Sequence, residues 1–343
     1  MWASFWEESN SRPLVAIVRP KDGVEPSPAP ATYEMTRGDL DLVLDKIVQW
    51  ASTREFLADA IPCFCVSFAA DHFAALLGGD FKWHPDSAET FWPVPIIEDW
   101  SEVNIQFRRD NPWWQRTVET IRRCRQRLDG RMIVSGCHLQ GGLDCLAALR
   151  GVNRLLLDLL DHPEEVAKAL QQIDDALEQV RDALDDEFGV KTFGSMTRHG
   201  LYSPGSSDVP QCDFSAMLSP DMFQQFGLPS LKRQCEQLDH STYHLDGQEA
   251  IKHLEAVCSI EKLGVIQWQP GAGAAQTKDW SFLRERIDSL GKGQILGGSH
   301  ETIKHLWQTF RSRRLFFGAR AESRDDAERF LEELERLEKP AGR

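Results

Sequence analysis

The stretch "STYHLDGQEAIKHLEAVCSIEKLGVIQWQP", residues 241–270, decides the fold. It opens with a short β-rich run ending in His244 and Asp246, passes into a helix-like pattern, and returns to an apolar run at Gly264–Pro270. Strand, helix and strand in that order make one βα unit of a parallel sheet. Six more runs of this kind are spread along the chain: "PLVAIVRP" (13–20), "PCFCVSFA" (62–69), "RMIVSGCH" (131–138), "VKTFGSMT" (190–197), "QILGGSH" (294–300) and "RLFFGAR" (314–320). Most are continuously apolar, as strands covered on both faces are.

Helical spacing fills the gaps between them. "PEEVAKALQQIDDALEQVRDAL" places Val166, Leu170, Ile173, Leu177, Val180 and Leu184 in one stripe on an acidic helix. "RGDLDLVLDKIVQWASTREFL" reads as a helix from Arg37 to Leu57. Ser219, followed by Pro220, and Ser323 are expected helix caps. Eight strands, nearly all followed by helices, predict an α/β chain folded as a single (β/α)8 TIM barrel over residues 1–343, with a doubly wound open sheet as the alternative. A dinucleotide fold would require G-x-G-x-x-G after an early strand, and the sequence has none. Residues 70–130, rich in Pro and aromatics, exceed one βα unit and are expected as an excursion inserted after strand two, near the barrel mouth. "DNPWWQ" within it could form a dimer contact, although paired Trp more often pack in a core.

Composition narrows the function classes. With 343 residues, 41% hydrophobic, and 11 Trp and 18 Phe, the chain can bury a large core. The longest apolar run falls short of the roughly 18–20 residues of a membrane span, so no membrane association is expected. The start, "MWASFWEESNSRPL", has no basic region ahead of its apolar residues, and a cytoplasmic location is expected. A net charge of −14 without a basic stripe argues against a nucleic-acid partner. Eight cysteines with no C-x-x-C read as reduced and mostly buried, and Cys63 and Cys65 share one strand face.

In a barrel of this type chemistry gathers at the carboxyl ends of the strands. That rule selects Arg19, Asp71 and His138 after the first three strands, then Arg198 and His199 after the fourth. His244 and Asp246 follow at the fifth, Gln267 and Trp268 at the sixth, and His300 at the seventh. Four of the ten histidines thus mark strand ends. Strand alternation puts His244 and Asp246 on one face. An imidazole and a carboxylate suit Zn2+ or another divalent metal, with His300 nearest in kind as a further ligand. Without a metal, Asp246 would fix the tautomer of His244 for proton transfer. Residues 198–218, rich in Gly, Pro and Ser, are expected as a lid that carries Tyr202, Asp208 and Asp213 toward a small-molecule substrate.

The segments "YHLDGQEAIKHL…IQWQPGAGA", "CDFSAMLSPDMF", "LDCLAALRGVNRLLLDLLDHPEEV" and "DNPWWQ" together resemble the uroporphyrinogen decarboxylase-like superfamily, over about Ser11 to Leu337. That group contains the decarboxylase and the corrinoid-linked zinc methyltransferases, all (β/α)8 barrels. Arg19 in "VRPKDG" matches the first arginine of the decarboxylase motif Arg-x-Ala-Gly-Arg, and the second is missing. Asp71 falls near the position of the pyrrole-binding aspartate. True uroporphyrinogen decarboxylation is therefore not expected. In the methyltransferases zinc is held by His-x-Cys and a later Cys; here His244 matches, Asp246 replaces the first Cys, and no Cys follows Cys258. The resemblance implies a methyltransferase that moves a methyl group between a small substrate, or a corrinoid carrier protein, and an acceptor. The alternative is a cofactor-free decarboxylase or lyase in which Arg19 anchors a carboxylate and His244 or Tyr202 supplies a proton. A non-catalytic binding protein is the third reading.

Overall fold

The computed structural model describes residues 1–68, 70–83, 91–337 and 339. Its strands are β1 (Leu14–Pro20), β2 (Arg54–Ala58), β3 (Cys63–Val66), β4 (Asp80–Trp83), β5 (Phe91–Val94), β6 (Ile133–Gly136), β7 (Ser195–Met196), β8 (Tyr202–Ser203), β9 (Ser207–Asp208), β10 (His240–Asp246), β11 (Leu263–Gln269), β12 (Gly293–Gly297) and β13 (Leu315–Gly318). The eight apolar runs fall on β1, β3, β6, β7, β10, β11, β12 and β13.

Seven strands pair in the order β2-β1-β13-β12-β11-β10-β9. From β9 to β1 every pairing is parallel, and successive strands β10 to β13 lie side by side before the sheet returns to β1. This winding is compatible with a (β/α)8 barrel. Two features depart from the expected closed ring. β2 runs antiparallel along the free edge of β1, and β3 pairs with β6 as a separate parallel pair. The sheet is therefore mixed, and its hydrogen-bonded ladder does not close. The helix expected to reach Leu57 stops at Ser52, where the Thr53 hydroxyl donates to the Trp50 carbonyl; the aromatic and apolar residues beyond it pair with β1 instead.

Alternation along each strand divides the molecule into two faces. Tyr243, Leu245 and Ile266 point outward into the main core, which includes Ile173, Leu177, Val180 and Leu184 of the helix Pro163–Phe188. Val15, Ile17, Leu315 and Phe317 point outward beneath the last two helices. Leu14, Val265 and Phe316 point inward, where Phe5, Trp6 and Leu201 fill the space between them. The inner space is thus packed at the amino ends of the strands and polar at the carboxyl ends. Ser219 and Ser323 cap their helices as expected, accepting from the amides of Met222 and Asp326. Past Met222 the chain widens into a π-turn, Phe223–Gly227, where Pro229 in the next turn lacks the N–H that a regular helix would use.

Two segments differ from their sequence reading. Within 70–130, the helix Pro112–Leu128 is an ordinary crossover between β3 and β6, capped by Asn111, whose side chain accepts from the amides of Trp113 (2.8 Å) and Trp114 (3.2 Å). The excursion itself is narrower and contains the antiparallel pair β4–β5; residues 84–90 of it lie outside the described residues. The "DNPWWQ" tryptophans pack inward, Trp114 buried and Trp113 half-buried against the core. Residues 198–218 are not a free-standing lid. They turn back as β8, rejoin the sheet as β9, and continue beside β10 through a single bridge between Gln211 and His244. Burying the apolar side chains of Leu201, Val209, Cys212 and Phe214 fixes this path.

Candidate functional site

Three potential ligand groups converge at the carboxyl end of β10. Asp213, His244 and Asp246 each offer an atom within 4.8 Å of the others, the one such group among the described residues. His244 and Asp246 face inward because Tyr243 and Leu245 face the core. Asp213 begins a short 3-10 turn that is held from below, where the Asp144 carboxylate accepts the amides of Asp213 (2.9 Å) and Phe214 (2.8 Å). The His244 amide donates to the Pro210 carbonyl at 3.1 Å, fixing β10 to the strand-like segment that carries Gln211.

Of the three, His244 and Asp213 are each anchored by one atom and free at another, while Asp246 has no hydrogen-bond partner among the described residues. His244 Nδ1 bonds the Oε1 of Gln267. An amide oxygen can only accept, so Nδ1 carries the proton and the lone pair is on Nε2. Asp213 Oδ2 accepts from Gln211 Nε2 at 2.8 Å, whereas its Oδ1 is buried without a partner. Gln211 Oε1 in turn accepts from His138 Nε2 (2.7 Å) and Arg198 Nη2 (2.5 Å). Gln140 extends the chain when its Nε2 faces Asp71 Oδ1 (3.3 Å) and the Ala70 carbonyl (3.1 Å), for its Oε1 then accepts from Gln211 Nε2 at 2.6 Å. The ring of His199 stacks on that of His244, centroids 5.7 Å apart and planes 19° from parallel.

The structure therefore brings together Asp71, His138, Arg198, His199, Asp213, His244, Asp246 and Gln267. Five residues expected at the site are elsewhere. Arg19 follows Val15 and Ile17 on the outward face, where it pairs with Glu55 of β2 at 2.6 Å and with Asp22. Trp268 also faces outward and meets Trp280 edge-on, centroids 5.0 Å apart. The ring of His300 stacks on Phe330 at 3.7 Å and its Nε2 bonds the Arg320 carbonyl at 3.0 Å, away from His244 and Asp246; the group found beside them is Asp213. Tyr202 packs edge-on against Trp2, and its carbonyl accepts from Trp6 Nε1, which puts it with the amino-terminal helix. Asp208 is absorbed by an ion pair with Arg181 at 2.9 Å. Gln140, Asp144 and Gln211 carry much of the network and no spacing in the sequence distinguishes them.

Burial dominates the electrostatics. It pushes Asp71 up to about 6 and Asp144 up to about 7, helped in both by the charge of Asp213. Asp213 is raised chiefly by burial, with His244 opposing and Asp246 adding to the rise. His138 falls to about 4 and His199 to about 3, through burial first and Arg198 second. Both imidazoles are therefore neutral at physiological pH. His72 points away from the site, stacks on Phe68, meets the Thr117 hydroxyl at 3.0 Å and is lowered by burial to about 3. The unfolded chain protonates this histidine near 6.5 and the folded chain only near 3, so its contribution to stability is lost as pH falls below 6.5. Stability is expected to drop by roughly 2 kcal/mol from this one group between pH 6.5 and 5. In urea titrations, His72→Gln should narrow its deficit against wild type over that window; a constant deficit would contradict the assignment.

The opposite arc of the mouth is bare. The inward residues at the ends of β12, β13 and β1 are Gly297, Gly318 and Val18, all exposed. A Cβ on Gly318 would meet nothing within 4 Å, and one on Gly297 only the Gly318 carbonyl at 3.7 Å.

No family model matches the chain, and no curated protein does. Among solved structures, a methyltransferase from Methanosarcina mazei superposes with a TM-score of 0.60 and 10% sequence identity, over 98% of this chain and 96% of that one. The likeness is one of fold: an α/β protein built on a largely parallel central sheet. Among the described residues no helix is long and apolar enough to cross a membrane.

Proposed function

We propose that the chain is a divergent (β/α)8 enzyme of the uroporphyrinogen decarboxylase-like superfamily, a metal-dependent methyltransferase whose centre is Asp213, His244 and Asp246. The observation that carries this reading is the convergence of these three groups, with His244 Nε2 and Asp213 Oδ1 left free while their other atoms are held. Such outer-shell anchoring is the usual company of metal ligands. The donor set, one imidazole and two carboxylates, fits Zn2+ or another divalent ion of hard to borderline character and lacks the thiolates of a thiol-activating zinc site. Bound there, the metal would lower the pKa of an acceptor hydroxyl or amine and orient it.

The chain's own groups supply the rest. Gln267 keeps His244 in the tautomer that presents Nε2. Gln211 and Asp144 keep Asp213 turned toward it. As the acceptor's lone pair forms the new bond to the methyl carbon, the donor retains the electrons of the bond that breaks. The acceptor proton passes to Asp71, a carboxylate outside the ligand group that burial and the charge of Asp213 push up to about 6, whereas Asp144 is held by two backbone amides. The bare arc of Gly297, Gly318 and Val18 leaves room for a bulky methyl donor, which suits a corrinoid carrier protein as partner. The cofactor-free lyase that the sequence suggested through Arg19 and Tyr202 is not favoured, because both residues lie away from the site.

Elemental analysis of untagged protein tests the reading. About one divalent metal per chain is expected in the wild type, and His244→Ala should lose it while keeping its circular dichroism. Metal retained in full by the folded variant would sink the proposal.

A further inference from the structure

Arg198 is a half-buried cation, and among the described residues no carboxylate pairs with it directly. Three other arginines with little exposed side chain each hold a carboxylate: Arg12 with Asp59 at 2.6 Å, Arg150 with Asp158 at 2.7 Å, and Arg181 with Asp208 at 2.9 Å. Arg198 has instead two neutral acceptors, Gln211 Oε1 at 2.5 Å and the Val209 carbonyl at 3.4 Å, and no ion pair among the described residues. A guanidinium has five N–H donors, so most of its hydrogen-bonding capacity is unspent. Beside it, His199 Nε2 is buried with no partner. His138 shares the Gln211 acceptor with Arg198, so that one glutamine separates the guanidinium from Asp213.

We propose that Arg198 and His199 form an anion subsite that binds the carboxylate of a small carboxylic-acid substrate and presents its reacting oxygen or nitrogen to Asp213, His244 and Asp246. The inference rests on the reading of that trio as the reacting centre and names the substrate class for it. The planar fork of one arginine matches a carboxylate in two parallel hydrogen bonds. Charge favours the same class. With Asp71, Asp144, Asp213 and Asp246 close by, a singly charged carboxylate meets less repulsion than a phosphate dianion would, and no second unpaired cation is found at this place among the described residues. The role that the sequence suggested for Arg19, gripping a carboxylate, thus passes to Arg198, which faces inward.

Calorimetric titration of chelator-treated protein with acetate, benzoate and inorganic phosphate tests this without recourse to activity or metal. The wild type should bind the carboxylates in preference to phosphate. Arg198→Met should weaken carboxylate binding about tenfold or more, the loss of one charge-assisted contact. Arg198→Lys, which keeps the charge and loses the fork, should fall between them and carries the comparison should the methionine variant fail to fold. His244→Ala should retain binding, which separates failure of this subsite from failure of the metal centre. Equal carboxylate affinity in wild type and the Arg198 variants, no carboxylate binding to the wild type, or a preference for phosphate would each overturn the proposal.

Discussion

Asp213→Asn is expected to weaken divalent-metal binding by more than about 100-fold and to abolish methyl transfer with it. Changes to residues that only orient a ligand cost about 10- to 100-fold, and Asp213 is argued here to be a ligand itself. Its replacement by an amide removes a negative charge next to His244 and Asp246, while the bond to Gln211 and the amide contacts with Asp144 can persist. The fold should therefore survive. Gln267→Leu supplies the graded control: it frees His244 to adopt either tautomer and should cost metal affinity within the smaller range. Competition titration against a chromogenic chelator measures both. If Asp213→Asn binds metal like the wild type, then Asp213 is not a ligand.

Arg181→Met should destabilise the protein by about 3–5 kcal/mol, the scale for removing one partner of a buried ion pair. Arg181 lies on the helix Pro163–Phe188 and donates twice to Asp208 Oδ2, at 2.9 and 3.1 Å, and once to Gln237 Oε1 at 3.1 Å. Both partners are largely buried, with side-chain exposures of 7% and 16%. With the arginine gone, the Asp208 carboxylate retains one amide, that of Val209 at 2.7 Å. Against a total of roughly 5–15 kcal/mol for a folded domain, such a loss is severe. The double variant Arg181→Met, Asp208→Leu should recover much of it, since no orphaned charge is left. Urea denaturation reads both effects, and a single-variant loss below about 1 kcal/mol would mean that solvent reaches the pair. Because β9 is the edge that leads to Gln211 and Asp213, loosening it should also spread to the site.

How far the sequence foretold this arrangement depends on which physical signal each residue leaves. Strand positions were legible because covered strands are runs of apolar residues, and each of the eight runs contains one. β2 was not, since Arg54–Ala58 follows a helical pattern without a break and pairs only because β1 has a free edge. His244 and Asp246 could be read together from their spacing of two. Which side of a strand faces inward is a different matter. In "LVAIVRP" both faces are apolar, so nothing local shows that Arg19 shares the outward side of Val15 and Ile17. His300 looked like a ligand by residue type, but Phe330, a distant partner, claims its ring. Asp213 could be picked out only as a polar group in a presumed lid. The glutamines that orient it leave no periodic trace, because their role is set by tertiary hydrogen bonds.

Gly297 and Gly318 have a consequence of a different kind. Neither has a backbone conformation reserved for glycine, and a Cβ at Gly318 would meet nothing within 4 Å. Glycine in a strand is a small thermodynamic burden rather than a requirement. This half of the rim is therefore free to vary: substitutions there can narrow, widen or polarise the entrance while the sheet and the opposing polar arc stay intact. A lineage, or an engineer, could change what is admitted by altering two positions that the architecture does not depend on, keeping the reacting groups as they are.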